Sequence, residues 1–323
     1  MRVGVVGHGV VGRRVVAILA RRPEVDQILL VSTRRSAVGT HPKVTAADDR
    51  AVRSEAEVVV LATPWPQHPQ ARVLLEAGRA VVTTSDDCAD VEALLSLDRL
   101  ASQSQRALVV GAAASPGLTG LLARMAADEL DTVDEIHVAF HGTGGPACAR
   151  QHHNALGMAS RVWQDGAWQE RPGGTGRELC WFPDPVGAHD CYRAALPDPV
   201  LLHRAFPAAA RITARVTATR RDRLTARLPM LRPPHPEALE GSVRVEVRGA
   251  LGGARETVVM GVAAPLGAVT GAVAATMALG AGLPPGLVVL GDERLATADL
   301  LRDVAAAEVA VHRFVGTASQ TSW

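Results

Sequence analysis

The sequence predicts an α/β fold class: a doubly wound parallel sheet, then an α+β domain with a mainly antiparallel sheet. Three observations carry this. The first third alternates continuous β-branched runs with helical stretches, the mark of a parallel sheet covered on both faces. A glycine triplet, "GHGVVG", joins the first strand to the first helix. After about Asp134 the strands lengthen and show some polar alternation, which suits a sheet with one solvated face.

The elements follow in order. "RVGVVG" is a short apolar strand, "GRRVVAILARRP" a helix stopped by Pro23, and "QILLVST" a second strand. "AEVVVLATP", bounded by Pro64 and Pro66, and "RAVVTTS" are further strands, separated by the helix "HPQARVLLEAG". "DVEALLSLDRLASQSQ" is a helix, "ALVVGAAAS" a strand, and "SPGLTGLLARMAADEL" a helix that leaves this unit. Beyond it, "DEIHVAFHG", "ARITARVTATRR" and "GSVRVEVRGAL…ARETVVMGVAA" are strands. Between them, Gly142 to Pro207 reads as loop-rich; its tryptophans and histidines argue for function rather than disorder. The section from about Gly267 returns to helices. The uncharged stretch Thr257–Gly291 is interrupted by Pro265 and by glycines, so it reads as a strand and a buried helix, not a membrane span. Three units follow: residues 1–124, 125–266 and 267–323.

Gly7, Gly9 and Gly12 form G-x-G-x-x-G between a strand and a helix. This is the Rossmann fingerprint, in which glycine permits a tight turn, close approach to a pyrophosphate, and helix–strand contact. His8, Val10 and Val11 complete the loop. An acidic residue after the second strand would hold an adenosine ribose; here stand Ser32, Thr33, Arg34 and Arg35. Guanidinium forks bind a 2′-phosphate and hydroxyls add bonds, so the expected cofactor is NADP(H). Ala62, Thr63 and Pro64, after the presumed fourth strand, are expected beside the nicotinamide.

With this fingerprint, "VVGAAASPGLTGLLAR" (Val109 to Arg124) resembles the saccharopine dehydrogenase-like oxidoreductases. The turn is Ser115, Pro116, Gly117, Leu118, and the tail "GLPPGLVVLGDERLATADLLRDVAAAEVAVHRF" is also similar. The resemblance implies a Rossmann domain, an inserted α+β substrate domain and a C-terminal helix returning to the first. It also implies chemistry on an amino acid or imine. A looser likeness to dihydrodipicolinate reductases rests on "RQHHNALG", although Leu156 stands where those proteins carry a lysine.

A reductase needs substrate anchors, a proton donor and a dry pocket. Residues 142–192 offer all three. His152 and His153 are the catalytic candidates. Arg150, Asn154, Arg177, Trp181 and Tyr192 are the substrate candidates, the arginines suiting a carboxylate. The reading is hydride transfer to or from a C=N or C=O group of a small, carboxylate-bearing metabolite. The alternative is a non-catalytic NADP(H)-binding sensor or scaffold on the same fold.

The chain has 323 residues and a net charge of +1, which gives no electrostatic reason to expect nucleic acid or an anionic membrane as partner. Lys43 is the only lysine, so mechanisms needing a catalytic lysine are disfavoured. Cys88, Cys148, Cys180 and Cys191 form no CxxC pair, and no metal site is expected from their spacing. "MRVGVVGHG" reads directly as a strand without a signal peptide, so the expected compartment is the cytoplasm. The expected partners are a small-molecule substrate and further copies of the chain, as a homodimer or higher homo-oligomer.

Overall fold

The structure is a computed structural model that describes residues 1–33, 41–230, 240–280, 283–315 and 318–321. Arg34 and Arg35 lie outside the described residues.

The first sheet is built from β1 (Arg2–Val6), β2 (Gln27–Val31), β3 (Val44–Ala46), β4 (Val58–Leu61), β5 (Ala80–Thr83) and β6 (Ala107–Val110). Its intervening helices are α1 (Val10–Ala20), α2 (Asp49–Glu55), α3 (His68–Glu76), α4 (Cys88–Leu95) and α5 (Asp98–Gln103). Continuous runs such as "VVVL" of β4 are buried throughout, because helices cover both faces of the sheet. Helix α6 (Leu118–Ala127) then leaves the sheet. Eight of its ten residues are buried, since it packs on the second sheet and against neighbouring helices.

The second sheet contains β7 (Thr132–His141), β8 (Ser160–Gln164), β9 (Ala167–Arg171), β10 (Glu178–Trp181), β11 (Ala188–Arg193), β12 (Arg211–Thr217), β13 (Ser242–Leu251) and β14 (Ala254–Ala263). Helices α7 (Pro146–Gly157), α8 (Asp198–Ala205) and α9 (Arg220–Thr225) interrupt it. The stretch expected to be loop-rich is therefore mostly regular. Its short polar strands lack a clean alternation, and α7 starts on a proline after "GTGG", where the sequence reads as a turn.

The C-terminal part is α10 (Leu266–Leu279), β15 (Gly286–Val289), α11 (Thr297–Ala305), β16 (Val311–Val315) and β17 (Ala318–Thr321). It is not helical throughout. The four-residue run "GLVV" is too short to betray its period, and it forms a buried strand. The first sheet runs β3-β2-β1-β4-β5-β6-β15, with every pair parallel. The second runs β10-β11-β12-β7-β13-β14-β16-β17, antiparallel except for β12 on β7, with the β8–β9 hairpin attached to β12. Thus the expected Rossmann sheet and a mainly antiparallel second sheet are both present. Helix α10 is buried along nearly its whole length and packs on α1. Among the described residues, no helix is long and apolar enough to cross a membrane.

Candidate functional site

The strand order reverses direction at β1, so the crevice beyond the carboxyl ends of β1 and β4 is the topological switch point. A cleft of about 750 Å³ opens there.

One wall is backbone. Gly7 has φ +102°, a conformation that disfavours side chains, and its N–H donates to the Val31 carbonyl at 2.9 Å. A Cβ on Gly12 would collide with the Gly7 carbonyl oxygen, so glycine there lets α1 start directly under the loop. Gly12 therefore supports the cleft from beneath, whereas Gly7, His8, Gly9, Val10 and Val11 line it. A Cβ on Gly9 would meet nothing within 4 Å: its missing side chain leaves open space on the cleft side. The first turn of α1 has no side-chain cap and no acidic residue. Its N–H groups suit an anion. Ser32, Thr33, Ala62, Thr63 and Pro64 also border the cleft. These residues fit a dinucleotide.

Buried Gln67 fixes the loops after β4 and β5. Its amide donates to the Thr63 carbonyl at 2.7 Å and accepts from the Thr84 N–H at 3.0 Å. Asp90 of α4 accepts from the Gln67 and His68 N–H groups at 2.9 and 3.0 Å, and so caps α3.

The opposite wall is made of side chains on α7. Positions 148 and 152 are four apart and share one face. The Cys148 Sγ lies 3.3 Å from His152 Nε2, which is 3.8 Å from Asp86 Oδ2 in the turn after β5. Neighbouring Asp87 caps α4 by accepting from the Asp90 N–H at 2.9 Å, and accepts from Gln151 of α7 at 2.8 Å. The "TTSDD" turn thus docks α7 onto the Rossmann sheet. The ring of Phe140 packs against His152, with centroids 4.9 Å apart.

Burial governs the charges. It pushes the Asp86 carboxyl up to about 6, although the Cys148 thiol donates to it. It pulls His152 down to about 4. It also raises the Cys148 thiol well above its usual range, with the Asp86 charge adding to the effect. At neutral pH the group therefore holds a carboxylate, a neutral imidazole and a thiol.

The "SPGLTG" turn forms the floor. The Ser115 and Thr119 hydroxyls each donate at 2.8 Å to the carboxylate of buried Asp198, at the start of α8. The Ala114 N–H donates to Thr270 of α10 at 3.1 Å. Burial pushes Asp198 up to about 6 despite its two donors.

Of the expected substrate residues, Arg150, His152 and Asn154 border the cleft, the arginine and the asparagine as exposed side chains. Four others do not. His153 is one helix step round from His152, and its Nε2 donates to the Leu228 carbonyl at 3.1 Å. Arg177 pairs with Asp190 at 2.9 Å, with most of its side chain in solvent. Trp181 is 62% exposed because strand alternation sends Cys180 inward and Trp181 outward. Tyr192 is buried beneath the Arg223 guanidinium, 4.2 Å from the ring centroid. Sequence reasoning passed over Asp86 as a site residue, and Cys148, Gln151 and Asp198 with it. The i, i+4 pairing of Cys148 with His152 was the one signal available.

No protein-family model matches the chain, and no curated protein matches it in sequence. Among solved structures, apo saccharopine dehydrogenase (L-Glu forming) from Saccharomyces cerevisiae aligns with a TM-score of 0.72 at 14% identity, covering 97% of this chain and 100% of that one. An engineered D-amino acid dehydrogenase bound to NADP+ aligns at 0.50 and 16% identity, covering 95% and 98%. C. glutamicum DAP dehydrogenase in complex with DAP aligns at 0.48 and 16% identity, covering 95% and 98%. The fold and the cleft define a protein of the Rossmann class with a second, mainly antiparallel sheet. Its architecture is similar to that of the yeast saccharopine dehydrogenase, which bears out at the level of fold the resemblance read from the "SPGL" turn.

Proposed function

We propose that the protein is an NADP(H)-dependent oxidoreductase acting at a C=N or C=O carbon of a small amino-acid or imine metabolite that carries a carboxylate. One observation carries this reading: a single cleft has a glycine cradle on one wall and the half-buried Asp86–Cys148–His152 group on the other. Gly7, Gly9 and the N-terminus of α1 would hold the pyrophosphate, with Ser32 and Thr33 on the adenosine side. The bound nicotinamide supplies or accepts the hydride.

The chain's own residues bind, orient and handle the proton. Exposed Arg150 suits a substrate carboxylate. The Asp86 carboxylate suits a cationic substrate nitrogen, so the cleft offers a partner for each charge of an amino-acid zwitterion. His152, neutral at pH 7, holds a proton on one ring nitrogen for exchange with the substrate. Phe140, Val6 and Leu266 give the cleft apolar surface that limits water. The choice of NADP(H) over NAD(H) rests on the sequence "STRR". Two fold neighbours, a saccharopine dehydrogenase and a D-amino acid dehydrogenase bound to NADP+, agree with the amino-acid reading.

The test is equilibrium binding of NADPH and NADH, side by side, to the wild type and the Arg34→Ala/Arg35→Ala variant. A panel of keto acids with ammonia or amines then follows under NADPH. NADPH preference that collapses in the double variant, with NADPH consumption by one panel class, is the expected result. Binding of neither dinucleotide would overturn the proposal.

A further inference from the structure

We propose that Asp86, Cys148 and His152 form a site for one zinc ion, with an open coordination position facing the cleft. The case starts from the donor set. A thiol, an imidazole and a carboxylate each present one ligating atom, and the three atoms lie within 4.8 Å of one another. Sulfur, nitrogen and oxygen together suit zinc, and three protein ligands plus an open position is the pattern of zinc sites that bind a substrate. Cys148 and His152 come from one face of α7, a four-residue helical spacing that brings two ligands to one ion. Asp86 arrives from the Rossmann sheet, 62 positions before Cys148, so the site forms only when the two units meet.

The surroundings hold the donors in place. His152 is buried and directed at Cys148 and Asp86, with the Phe140 ring against it. The hydrogen bond from Gln151 to Asp87 ties the turn bearing Asp86 to the helix bearing the other two donors. Charge also balances: a zinc ion with one thiolate, one carboxylate and a neutral imidazole carries no net charge into a half-buried place. The open side is the cleft, whose lining includes all three residues. A substrate oxygen or nitrogen would fill that position, and the ion would polarise it as a Lewis acid, a role that in the metal-loaded protein replaces the cation-binding and proton-exchange roles of Asp86 and His152. That use rests on the oxidoreductase reading; the binding of the ion does not.

The experiment uses the full chain, stripped with a chelator and titrated with Co2+ as a spectroscopic probe, then with Zn2+ in competition. The expected result is one equivalent bound, with a thiolate-to-cobalt charge-transfer band and the visible bands of a four-coordinate ion, displaced by Zn2+. Cys148→Ser should abolish the charge-transfer band. It and His152→Ala should each weaken binding by at least about tenfold. Circular dichroism and NADPH affinity, measured on the same preparations, establish that the variants are folded. Absence of the band in the wild type, or its survival in Cys148→Ser, would overturn the proposal. NADPH binding without Co2+ binding removes the zinc site and leaves the oxidoreductase reading standing. Co2+ binding without NADPH binding does the reverse.

Discussion

The two walls of the cleft are made from different materials. The Rossmann wall is backbone: glycines, strand ends and the uncapped N-terminus of α1. The α7 wall is side chains: a carboxyl, a thiol and an imidazole whose ionisation burial has shifted. A backbone wall can take a molecule common to many enzymes, because it reads phosphate and shape. A side-chain wall selects chemistry, because each group offers one proton or one lone pair. If this division is correct, substitutions on one wall should change binding of the dinucleotide and leave the chemistry alone, and those on the other should do the opposite.

The largest expected effect separates the two adjacent histidines. His152 lies in the cleft, whereas His153 donates to the Leu228 carbonyl away from it. His152→Ala should lower kcat by about a hundredfold or more, the usual loss of a positioned proton-transfer group, with NADPH affinity held within about twofold. His153→Ala should stay within a few-fold of wild type in steady-state kinetics. Equal losses in the two variants would show that the helix, not the imidazole, is what matters.

A second prediction concerns the floor that joins the walls. Asp198 has its carboxyl raised from 3.8 to about 6 by burial. A group whose folded pKa is raised favours the folded state when protonated. Its contribution is fully present below about pH 4 and is lost as the pH rises through about 6. Two units correspond to about 3 kcal/mol. Urea unfolding of the wild type and of Asp198→Asn across this window should show the wild type losing on the order of 3 kcal/mol relative to the variant between pH 4 and pH 7. Asp86 shifts in the same direction and is present in both proteins; the Asp198 charge is the smallest of the causes acting on it, so most of the difference belongs to Asp198 itself. A flat difference would mean that the Ser115 and Thr119 hydroxyls fully offset the burial.

The same division decides what the sequence could show. The Rossmann wall was legible because its parts are contiguous: "GHGVVG" lies between a strand and a helix, and "LATP" follows a continuous apolar run. The turn "SPGL" was legible as a resemblance. Its partner Asp198 was not, because 83 positions separate Ser115 from it. The histidine pair marked the right helix, but only the helix phase tells which of the two faces inward. Of the two adjacent acids Asp86 and Asp87, the cap of α4 is Asp87, and Asp86 faces Cys148 and His152, which only the fold reveals. Strand β15 was hidden by its length, and the alternation of β10 placed Trp181 in solvent where its chemistry suggested a substrate contact.

A smaller effect tests the backbone wall. The Gly9 side faces open space, so Gly9→Ala should fold with wild-type stability to within about 0.5 kcal/mol. Its methyl group would occupy the room a pyrophosphate needs, and NADPH affinity should fall by about tenfold or more. Thermal melts and fluorescence titration of NADPH measure the two quantities on one sample. Unchanged affinity would place the dinucleotide elsewhere in the cleft.

The smallest expected effect lies beside β10, away from the cleft. Arg177 and Asp190 form an ion pair at 2.9 Å with the arginine largely in solvent, and Asp190 holds the arginine's pKa above its ordinary value. Solvent screens a pair this exposed, so it adds little to stability. Neither Arg177 nor Trp181 borders the cleft. Arg177→Ala should therefore leave kcat, KM and NADPH affinity within about twofold of wild type, with no resolvable change in stability. The corresponding change at Arg150, which does border the cleft, should raise KM for a carboxylate substrate by about tenfold while sparing NADPH binding. Should Arg177→Ala raise KM as much as Arg150→Ala does, the substrate would have to reach past α7 to the outer face of β10. The α7 wall would then be only part of the surface that selects the chemistry.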